Sequence, residues 1–410
     1  MNKKKIINDP VYGFITIPSE LIYDLISHPY FQRLRYIKQL GMTHLVYPGA
    51  LHTRFHHALG AMHLMGLALE VLRSKGHPIS FEEEEAATIA ILLHDIGHGP
   101  FSHALEHTLV NGIQHEDISM LMMDKLNEEF NGQLDQAIEI FKGKYHRNFF
   151  YQLISGQLDL DRMDYLNRDS FFTGVSEGVI SFDRIIKMFN VVNDQLVIEE
   201  KGIYSIEKFL IARRLMYWQV YLHKTVIAGE QLLVKILERA KELASNGTIL
   251  FATPALQHFL GEDVTELNFF KDENHLLQFS KLDDQDIYAA IKVWENHPDI
   301  ILARLCKMLN SRKLYKVEIT NEAPSPERIA TLSENIAQAL NLFGDDISYF
   351  VFTDSIRNRA YNAGNSNINI LMKNGALVDI TKASDLSNLA SLDRTVKKYI
   401  LCYTKLEEKS

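Results

Sequence analysis

Apolar residues recur at three- and four-residue spacing through much of the first 310 residues of this chain. One broad side of the stretch 19–40, for example, collects Leu21, Ile22, Leu25, Ile26, Leu34, Ile37 and Leu40. The spacing predicts helices over residues 19–40, 57–75, 82–96, 115–130 and 205–244. Helix stops are expected at Gly41, at Gly76-His77-Pro78 and at Gly97-His98-Gly99-Pro100.

This helical pattern changes at two places. Within residues 190–206, the turn pair Asn193-Asp194 followed by an apolar run predicts a small β-hairpin. From about residue 313, the pattern predicts strands at 314–319, 347–352, 368–372 and 397–404, with helices at 324–342 and 385–391. We therefore predict a mainly α fold, with a helical body carrying one hairpin at 1–310 and a small α+β domain at 311–410.

Composition narrows the class of protein. Only two cysteines occur among 410 residues, Cys306 and Cys402, which excludes a cysteine-based zinc module. The basic N-terminus leads into Asn8-Asp9-Pro10 and no run of about 18 apolar residues follows, so we expect a cytoplasmic protein without membrane contact. A net charge of −9 disfavours stable binding to nucleic acid, although basic residues that converge locally can still hold an anionic substrate.

Histidines concentrate in one part of the chain, with eleven of the 17 between residues 44 and 115. At their centre an apolar helix ends in His94-Asp95, directly before a glycine-rich stop. Burying such a pair is costly unless both side chains are paired or bind a metal. Neighbouring helical residues project about 100° apart, so His94 and Asp95 can share one ion. His57 and Asp161 are the candidates for the remaining ligands.

Imidazole and carboxylate ligands together suit a divalent ion such as Fe, Mn, Zn, Ni or Mg. Such an ion lowers the pKa of a bound water and polarises a phosphoryl oxygen. Taken alone, each of the four residues could instead be a structural residue whose hydrogen bonds are satisfied within the protein. Their combination with the glycine-proline stop favours a metal site.

Cations and tyrosines suggest a phosphate-bearing substrate. Arg54 stands three residues before His57, within reach of a metal-bound phosphate. The spacing of four further residues predicts one polar-aromatic stripe on a single helix, formed by Arg213, Tyr217, Tyr221 and Lys224. The stripe suits a nucleotide, and the alternative is an ordinary surface helix with extended side chains. For proton transfer the candidates are His115 beside Glu116, and His103.

The order His57, His94-Asp95, Asp161 resembles the signature of the HD superfamily of phosphohydrolases. Blocks at residues 9–13, 31–41 and 94–103 resemble the deoxynucleoside triphosphate triphosphohydrolase branch, which includes the SAM-and-HD-domain dNTPase of vertebrates. The similar blocks span roughly residues 6–225. The resemblance implies that water attacks the α-phosphate of a dNTP, releasing deoxynucleoside and inorganic triphosphate at a divalent metal ion.

The same resemblance implies roles on the substrate side. Arg213 and Lys224 would contact phosphates, and Arg162 stands where the branch usually has lysine. The sugar contacts would come from Gln39 and Leu40 at C2′, Tyr165 over the deoxyribose, Asp169 at the 3′-OH and Tyr221 beside sugar and base.

For catalysis, the resemblance makes His115, backed by Glu116, the proton donor. His98 and His103 would line the phosphate site. Ser27 stands where the vertebrate enzymes have an acid that reads a guanine activator, so the resemblance does not imply guanine activation at this site. Asn8, Gln32 and Arg35 would still suit some nucleotide there. We also expect a homo-oligomer, a dimer or a tetramer.

Two other functions stay open at this point. One is an HD phosphohydrolase acting on another phosphoester, such as a nucleoside monophosphate or a signalling nucleotide. The other is a nucleotide-binding regulator without catalysis. The predicted sugar contacts and the complete ligand set favour the dNTP hydrolase over both.

Overall fold

The computed structural model describes residues 5–101, 108, 110, 112–358, 361, 367–386, 389 and 394–406. Helices dominate the first 310 residues, as predicted. In chain order they are α1 (Glu20–Ser27), α2 (Pro29–Gln32), α3 (Arg54–Ser74), α4 (Phe81–Leu93), α5 (His115–Glu129), α6 (Asp135–Phe141), α7 (Asn148–Ile154), α8 (Leu160–Thr173), α9 (Phe182–Lys187), α10 (Ile203–Met216), α11 (Lys224–Ser245), α12 (Pro254–Gly261), α13 (Glu266–Phe269), α14 (Glu273–Phe279), α15 (Asp284–Trp294) and α16 (Ile300–Asn310).

Helix α4 lies at the centre of the body. It begins at a capping box, in which the Ser80 hydroxyl accepts the Glu83 N–H at 3.2 Å and the Glu83 carboxylate accepts the Ser80 N–H at 2.9 Å. Every residue from 86 to 93 is buried, because α4 packs against α3 on one side and α6 on another. Helix α3 packs in turn on α8. The end of α4 therefore delivers His94 and Asp95 into the interior, next to α3 and α8.

Two stretches that were predicted as single helices are interrupted. In 19–40, α1 ends at Ser27 because His28 is extended ahead of Pro29, and residues Arg33–Tyr36 form a 3-10 turn. In 205–244, α10 ends at Met216, a π-helical turn covers Tyr217–Tyr221, and α11 starts at Lys224. The prediction of continuous helices was wrong at both places.

Short strands accompany the helices. Strands β1 (Ile6–Asp9) and β2 (Gly13–Thr16) form an N-terminal hairpin. The predicted hairpin is confirmed as β3 (Phe189–Val192) and β4 (Gln195–Glu199). Its turn residues Asn193 and Asp194 have φ values of 50° and 60°, as a tight hairpin turn requires.

The C-terminal part contains β5 (Lys316–Thr320), α17 (Pro326–Leu340), β6 (Val351–Asn358), β7 (Asn369–Leu371), β8 (Leu377–Asp379), α18 (Ile380–Ala383) and β9 (Val396–Tyr403). Strands β5, β9 and β6 form one antiparallel sheet in that order. Strand β6 starts later than predicted because Gly344–Tyr349 forms a 3-10 turn. The helix predicted at 385–391 lies mostly outside the described residues.

Strand β7 pairs in parallel with β4, so that β3, β4, β7 and β8 form one sheet. This sheet takes strands from both sides of the boundary predicted near residue 310, and the boundary itself stays a prediction. The mainly helical fold class with small C-terminal sheets is confirmed. Within the described ranges, no helix is both long and apolar enough to cross a bilayer.

Candidate metal centre and active site

Four side chains converge where the start of α3, the end of α4 and the first turn of α8 meet. His57 Nε2 lies 3.0 Å from Asp161 Oδ1 and 3.7 Å from Asp95 Oδ2. His94 Nε2 lies 3.3 Å from Asp95 Oδ1 and 3.5 Å from Asp161 Oδ1. Ligand atoms bound about 2.1 Å from one ion lie about 3.0 to 3.5 Å apart. Three of these four distances fall in that range and suit a single divalent cation, while the distance from His57 Nε2 to Asp95 Oδ2 is slightly longer.

Both imidazoles are oriented by the nitrogen that faces away from this cluster. His57 Nδ1 donates to Asp164 Oδ2 at 2.8 Å, and His94 Nδ1 donates to the Ile91 carbonyl at 2.6 Å. Each Nε2 then presents a lone pair to the cluster. Within the described part of the chain, neither buried Nε2 has a hydrogen-bond partner. The donor set thus fits a metal ion, because a buried nitrogen of this kind needs a proton donor or a cation.

A buried network of charged side chains supports His57 on the side away from the metal cluster. Arg168 donates to both oxygens of Asp164 at 2.9 Å and to Asp9 Oδ2 at 2.7 Å. A side chain at Gly60 has no room here, since a Cβ would lie 2.0 Å from Asp164 Oδ1. Asp9 therefore holds Arg168, and through Arg168 it fixes Asp164, which orients the metal-ligand candidate His57.

The turn after α4 is held from another side. The Ser119 hydroxyl donates to the His94 carbonyl at 2.8 Å and accepts the Gly97 N–H at 2.9 Å. A Cβ on Gly97 would lie 2.3 Å from the Ser119 nitrogen, so α5 can approach this turn only at a glycine. This contact brings His115, the first residue of α5, to the metal cluster.

Electrostatics favour a cation at the centre. Burial alone would lower the pKa of His57, but the neighbouring carboxylates of Asp161 and Asp164 raise it to about 10. Burial would raise the pKa of Asp95, but His94, His98 and Arg54 hold it well below its usual range. The carboxylates are therefore ionised and the site attracts positive charge, which a divalent ion supplies in place of protons.

Arg54 and two histidines border the cluster on the side where a phosphate is predicted. Arg54, buried at the first position of α3, pairs with Asp95. His98 Nε2 lies 3.4 Å from Asp95 Oδ1, and burial with the nearby Arg54 charge lowers the pKa of His98 well below its usual value. His115 stacks on His98 with ring centroids 3.8 Å apart and lies 3.3 Å from Glu116, whose side chain is exposed. His103 lies outside the described residues.

A second group gathers around Asp169, two turns along α8 from Asp161. His52 Nε2 donates to Asp169 Oδ1 at 2.7 Å, and the Tyr221 hydroxyl donates to Oδ2 at 2.8 Å. The Gln39 N–H donates to the His52 carbonyl at 3.0 Å, with the partly buried Leu40 next in the chain. Tyr165 lies between the two groups on α8, with its ring 6.2 Å from that of Tyr221.

The four-residue stripe was placed wrongly on one helix. Arg213 ends α10, Tyr217 and Tyr221 lie in the π-helical turn, and Lys224 is the exposed first residue of α11. The extended backbone of His223 separates Lys224 from the others. The π-helical turn still brings the Tyr217 and Tyr221 rings within 5.4 Å of each other.

The two remaining predicted cations, Arg162 and Arg213, both contact the loop before α8. Arg162 donates to the Gly156 carbonyl at 2.7 Å and pairs with the buried Asp159. Arg213 Nη1 lies 3.5 Å from Gln157 Oε1. The structure therefore brings all the predicted residues that it describes to this region except Lys224, which no described contact joins to the cluster.

Several residues that support the site were not among those predicted from the sequence: Asp9, Asp164, Arg168, Ser119 and His52. His52 was not among the candidate residues, yet it is buried and donates to Asp169. One signal was available, because Asp164 and Arg168 have the i,i+4 spacing of a charged pair on a helix, directly after Asp161. The partners of Asp9 and His52 lie more than 100 residues away and left no local signal.

Comparisons with known proteins agree with this geometry. The HD domain family model matches residues 54–169, and the HD associated region matches residues 180–250. The uncharacterized protein YwfO of Bacillus subtilis is 34% identical over 94% of this chain and 88% of its own length. The deoxynucleoside triphosphate triphosphohydrolase SAMHD1 homolog of Dictyostelium discoideum is also 34% identical, but over 54% of this chain and 46% of its own length.

Among solved structures, a phosphohydrolase of Bacteroides thetaiotaomicron superposes with a TM-score of 0.95 and 53% identity, covering 98% of this chain and 100% of that one. A hypothetical protein of Aquifex aeolicus reaches a TM-score of 0.71 with 29% identity, over 98% and 96% of the two chains. Together with the paired histidines and aspartates, these matches identify the family. The chain belongs to the HD-domain phosphohydrolases and carries their HD-associated region.

Proposed function

We propose that this phosphohydrolase cleaves dNTPs into deoxynucleoside and inorganic triphosphate. The supporting observation is the arrangement along α8, where Asp161 faces the metal cluster and Asp169 faces His52 and Tyr221. Eight residues of helix separate the two Cα atoms by about 12 Å. That spacing leaves room for an α-phosphate and a sugar between the two carboxylates, with Tyr165 beside them.

Unsatisfied polar atoms support a ligand in the same place. Gln39 Oε1, Arg162 Nε and Arg213 Nε are buried and have no hydrogen-bond partner among the described residues. Buried polar atoms normally have partners, so these three are suited to a bound nucleotide. All three belong to the predicted substrate contacts.

His57, His94, Asp95 and Asp161 would hold a divalent ion, which when bound lowers the pKa of a water and polarises the α-phosphoryl oxygen. Arg54 stabilises negative charge on the phosphate, and the His98 imidazole donates a hydrogen bond there. Asp169 accepts the 3′-OH of the sugar. Lys224 would approach the outer phosphates by side-chain movement.

In the reaction, the water oxygen bonds to the α-phosphorus while the bond from that phosphorus to O5′ breaks. His115 gives a proton to O5′, with Glu116 as its neighbouring carboxylate. One proton of the attacking water passes to solvent, and the products are deoxynucleoside and inorganic triphosphate. No further reactant is needed.

The test is product analysis with metal-loaded protein and each of the four dNTPs, the four ribonucleotides and a nucleoside monophosphate. We expect triphosphate and deoxynucleoside from the dNTPs. Release of orthophosphate from the monophosphate alone would assign the site to another phosphoester, and absence of turnover with every nucleotide would favour a regulator. The predicted dimer or tetramer is measured separately by light scattering.

A further inference from the structure

Helix α15 lies outside both matched family segments, yet its first residue contacts two segments of the active site. The Asp284 carboxylate is buried. Its Oδ1 accepts the Phe101 N–H at 2.8 Å, and its Oδ2 accepts the Lys38 N–H at 3.1 Å. Phe101 follows the loop that carries His98, and Lys38 precedes Gln39. One carboxylate therefore joins the phosphate side of the site to the sugar side.

The same face of α15 holds the side chains of these two segments. Tyr288, one turn after Asp284, packs edge-on against the Phe101 ring at 5.0 Å. The Lys38 ammonium lies 4.7 Å from the centre of the Tyr288 ring and 3.5 Å from Asp284 Oδ2. Phe101 has a φ of 55°, a left-handed conformation that is unfavourable for a non-glycine residue. The contacts with α15 offset that cost.

The other end of the His98 loop is anchored to the same segment. Arg33, a buried residue, donates from Nη2 to the Ile96 carbonyl at 2.8 Å and from Nη1 to the Leu282 carbonyl at 3.1 Å. Residues 97–100 are thus held at Ile96 by Arg33 and at Phe101 by Asp284. The first anchor is joined to the Leu282 carbonyl and the second is the Asp284 carboxylate, so both are fixed at the start of α15.

We infer that Asp284 is a positioning residue, which sets the His98 loop and the Gln39 segment at a fixed separation around the substrate. A buried carboxylate keeps its donors because leaving them unpaired is costly, so both backbone segments are tied to one rigid helix. This inference rests on the proposed function, since it assigns one segment to the phosphates and the other to the sugar. Small displacements of such groups reduce turnover strongly.

The test compares Asp284→Asn with Asp283→Asn, the same chemical change one residue earlier. Asp283 caps α15, where its Oδ1 accepts the Gln285 N–H at 2.7 Å, and it has no described hydrogen bond to Lys38 or Phe101. We expect kcat on the dNTP substrate to fall on the order of tenfold or more in Asp284→Asn. Metal content should stay equal to that of the unaltered protein, and Asp283→Asn should keep its turnover.

Amide hydrogen exchange, measured below the unfolding temperature of both variants, supplies a readout that needs no substrate. Protection should fall at Lys38 and Phe101 in Asp284→Asn only. Tyr288→Leu weakens the same anchor and takes the place of Asp284→Asn if that variant does not fold. Unchanged protection and turnover in Asp284→Asn would overturn the inference, as would equal losses in both aspartate variants. If no dNTP is cleaved by the unaltered protein, the proposed function fails, while exchange still decides the anchor.

Discussion

The metal end and the proposed sugar end of the substrate site are built differently, although helix α8 contributes to both. At the metal end, His57 and His94 are buried and each is fixed by a hydrogen bond from its outer nitrogen. At the sugar end, Asp169 depends on His52 from before α3 and on Tyr221 from a π-helical turn. The metal end is made of motif residues, whereas the sugar end is assembled by tertiary contacts. We therefore expect changes at the two ends to have separable effects, on metal content and on substrate affinity.

The largest effect at the metal end is expected from Asp161→Ala. Removing this carboxylate takes away a ligand that faces both His57 and His94, so bound metal and turnover should both be lost while the fold persists. Asp183→Ala is the matched control, because Asp183 also stands in the first turn of a helix but is exposed. Elemental analysis and circular dichroism measure the outcome. Full metal content in Asp161→Ala would refute the ligand assignment.

A change behind the ligand should give an intermediate effect at the metal end. Asp164→Asn keeps the shape of the side chain but weakens the support of His57 Nδ1, and metal affinity should fall about 10- to 100-fold. Competition with a chelator of known affinity measures it. Once metal is supplied in excess, the KM for the dNTP should match that of the unaltered protein. A raised KM at saturating metal would show that the two ends are not separable.

Gly60→Ala tests how tightly the charges behind His57 are packed. Its Cβ would meet Asp164 Oδ1 at 2.0 Å and Arg168 Nη2 at 2.2 Å, so the free energy of unfolding should fall by about 1–3 kcal/mol. Gly66→Ala in the same helix has nothing within 4 Å of its Cβ and should raise it by about 0.5–1 kcal/mol. Urea titration compares the two. Similar free energies of unfolding for the two variants would mean that Asp164 and Arg168 move enough to accommodate the added methyl group.

The smallest of these effects is expected at the sugar end. Asp169→Asn places an amide where His52 and Tyr221 need an acceptor, and the KM for the dNTP should rise about tenfold. Metal content should not change. Inhibition by inorganic triphosphate serves as the control, because that ligand lacks the sugar. Equal weakening of triphosphate inhibition and dNTP binding would contradict a sugar contact.

This contrast also explains what could be predicted from the sequence. The helix ending in His94-Asp95 was predicted because its apolar run and glycine stop are local features. The single stripe from Arg213 to Lys224 was wrong, since regular helical spacing does not reveal a π-helical turn followed by an extended His223. The pairing of His52 with Asp169 spans 117 residues, and that of Arg168 with Asp9 spans 159. Contacts of that kind depend on how β1 and the segment before α3 pack against α8.

Hydrolysis in water enriched in oxygen-18 tests most directly whether both ends act on one dNTP. The label should appear as one atom in the inorganic triphosphate and be absent from the deoxynucleoside, because water adds to the α-phosphorus and O5′ leaves with the sugar. The same reaction with Asp161→Ala should release neither product. Label in the deoxynucleoside, or a deoxynucleoside monophosphate as the product, would contradict the account.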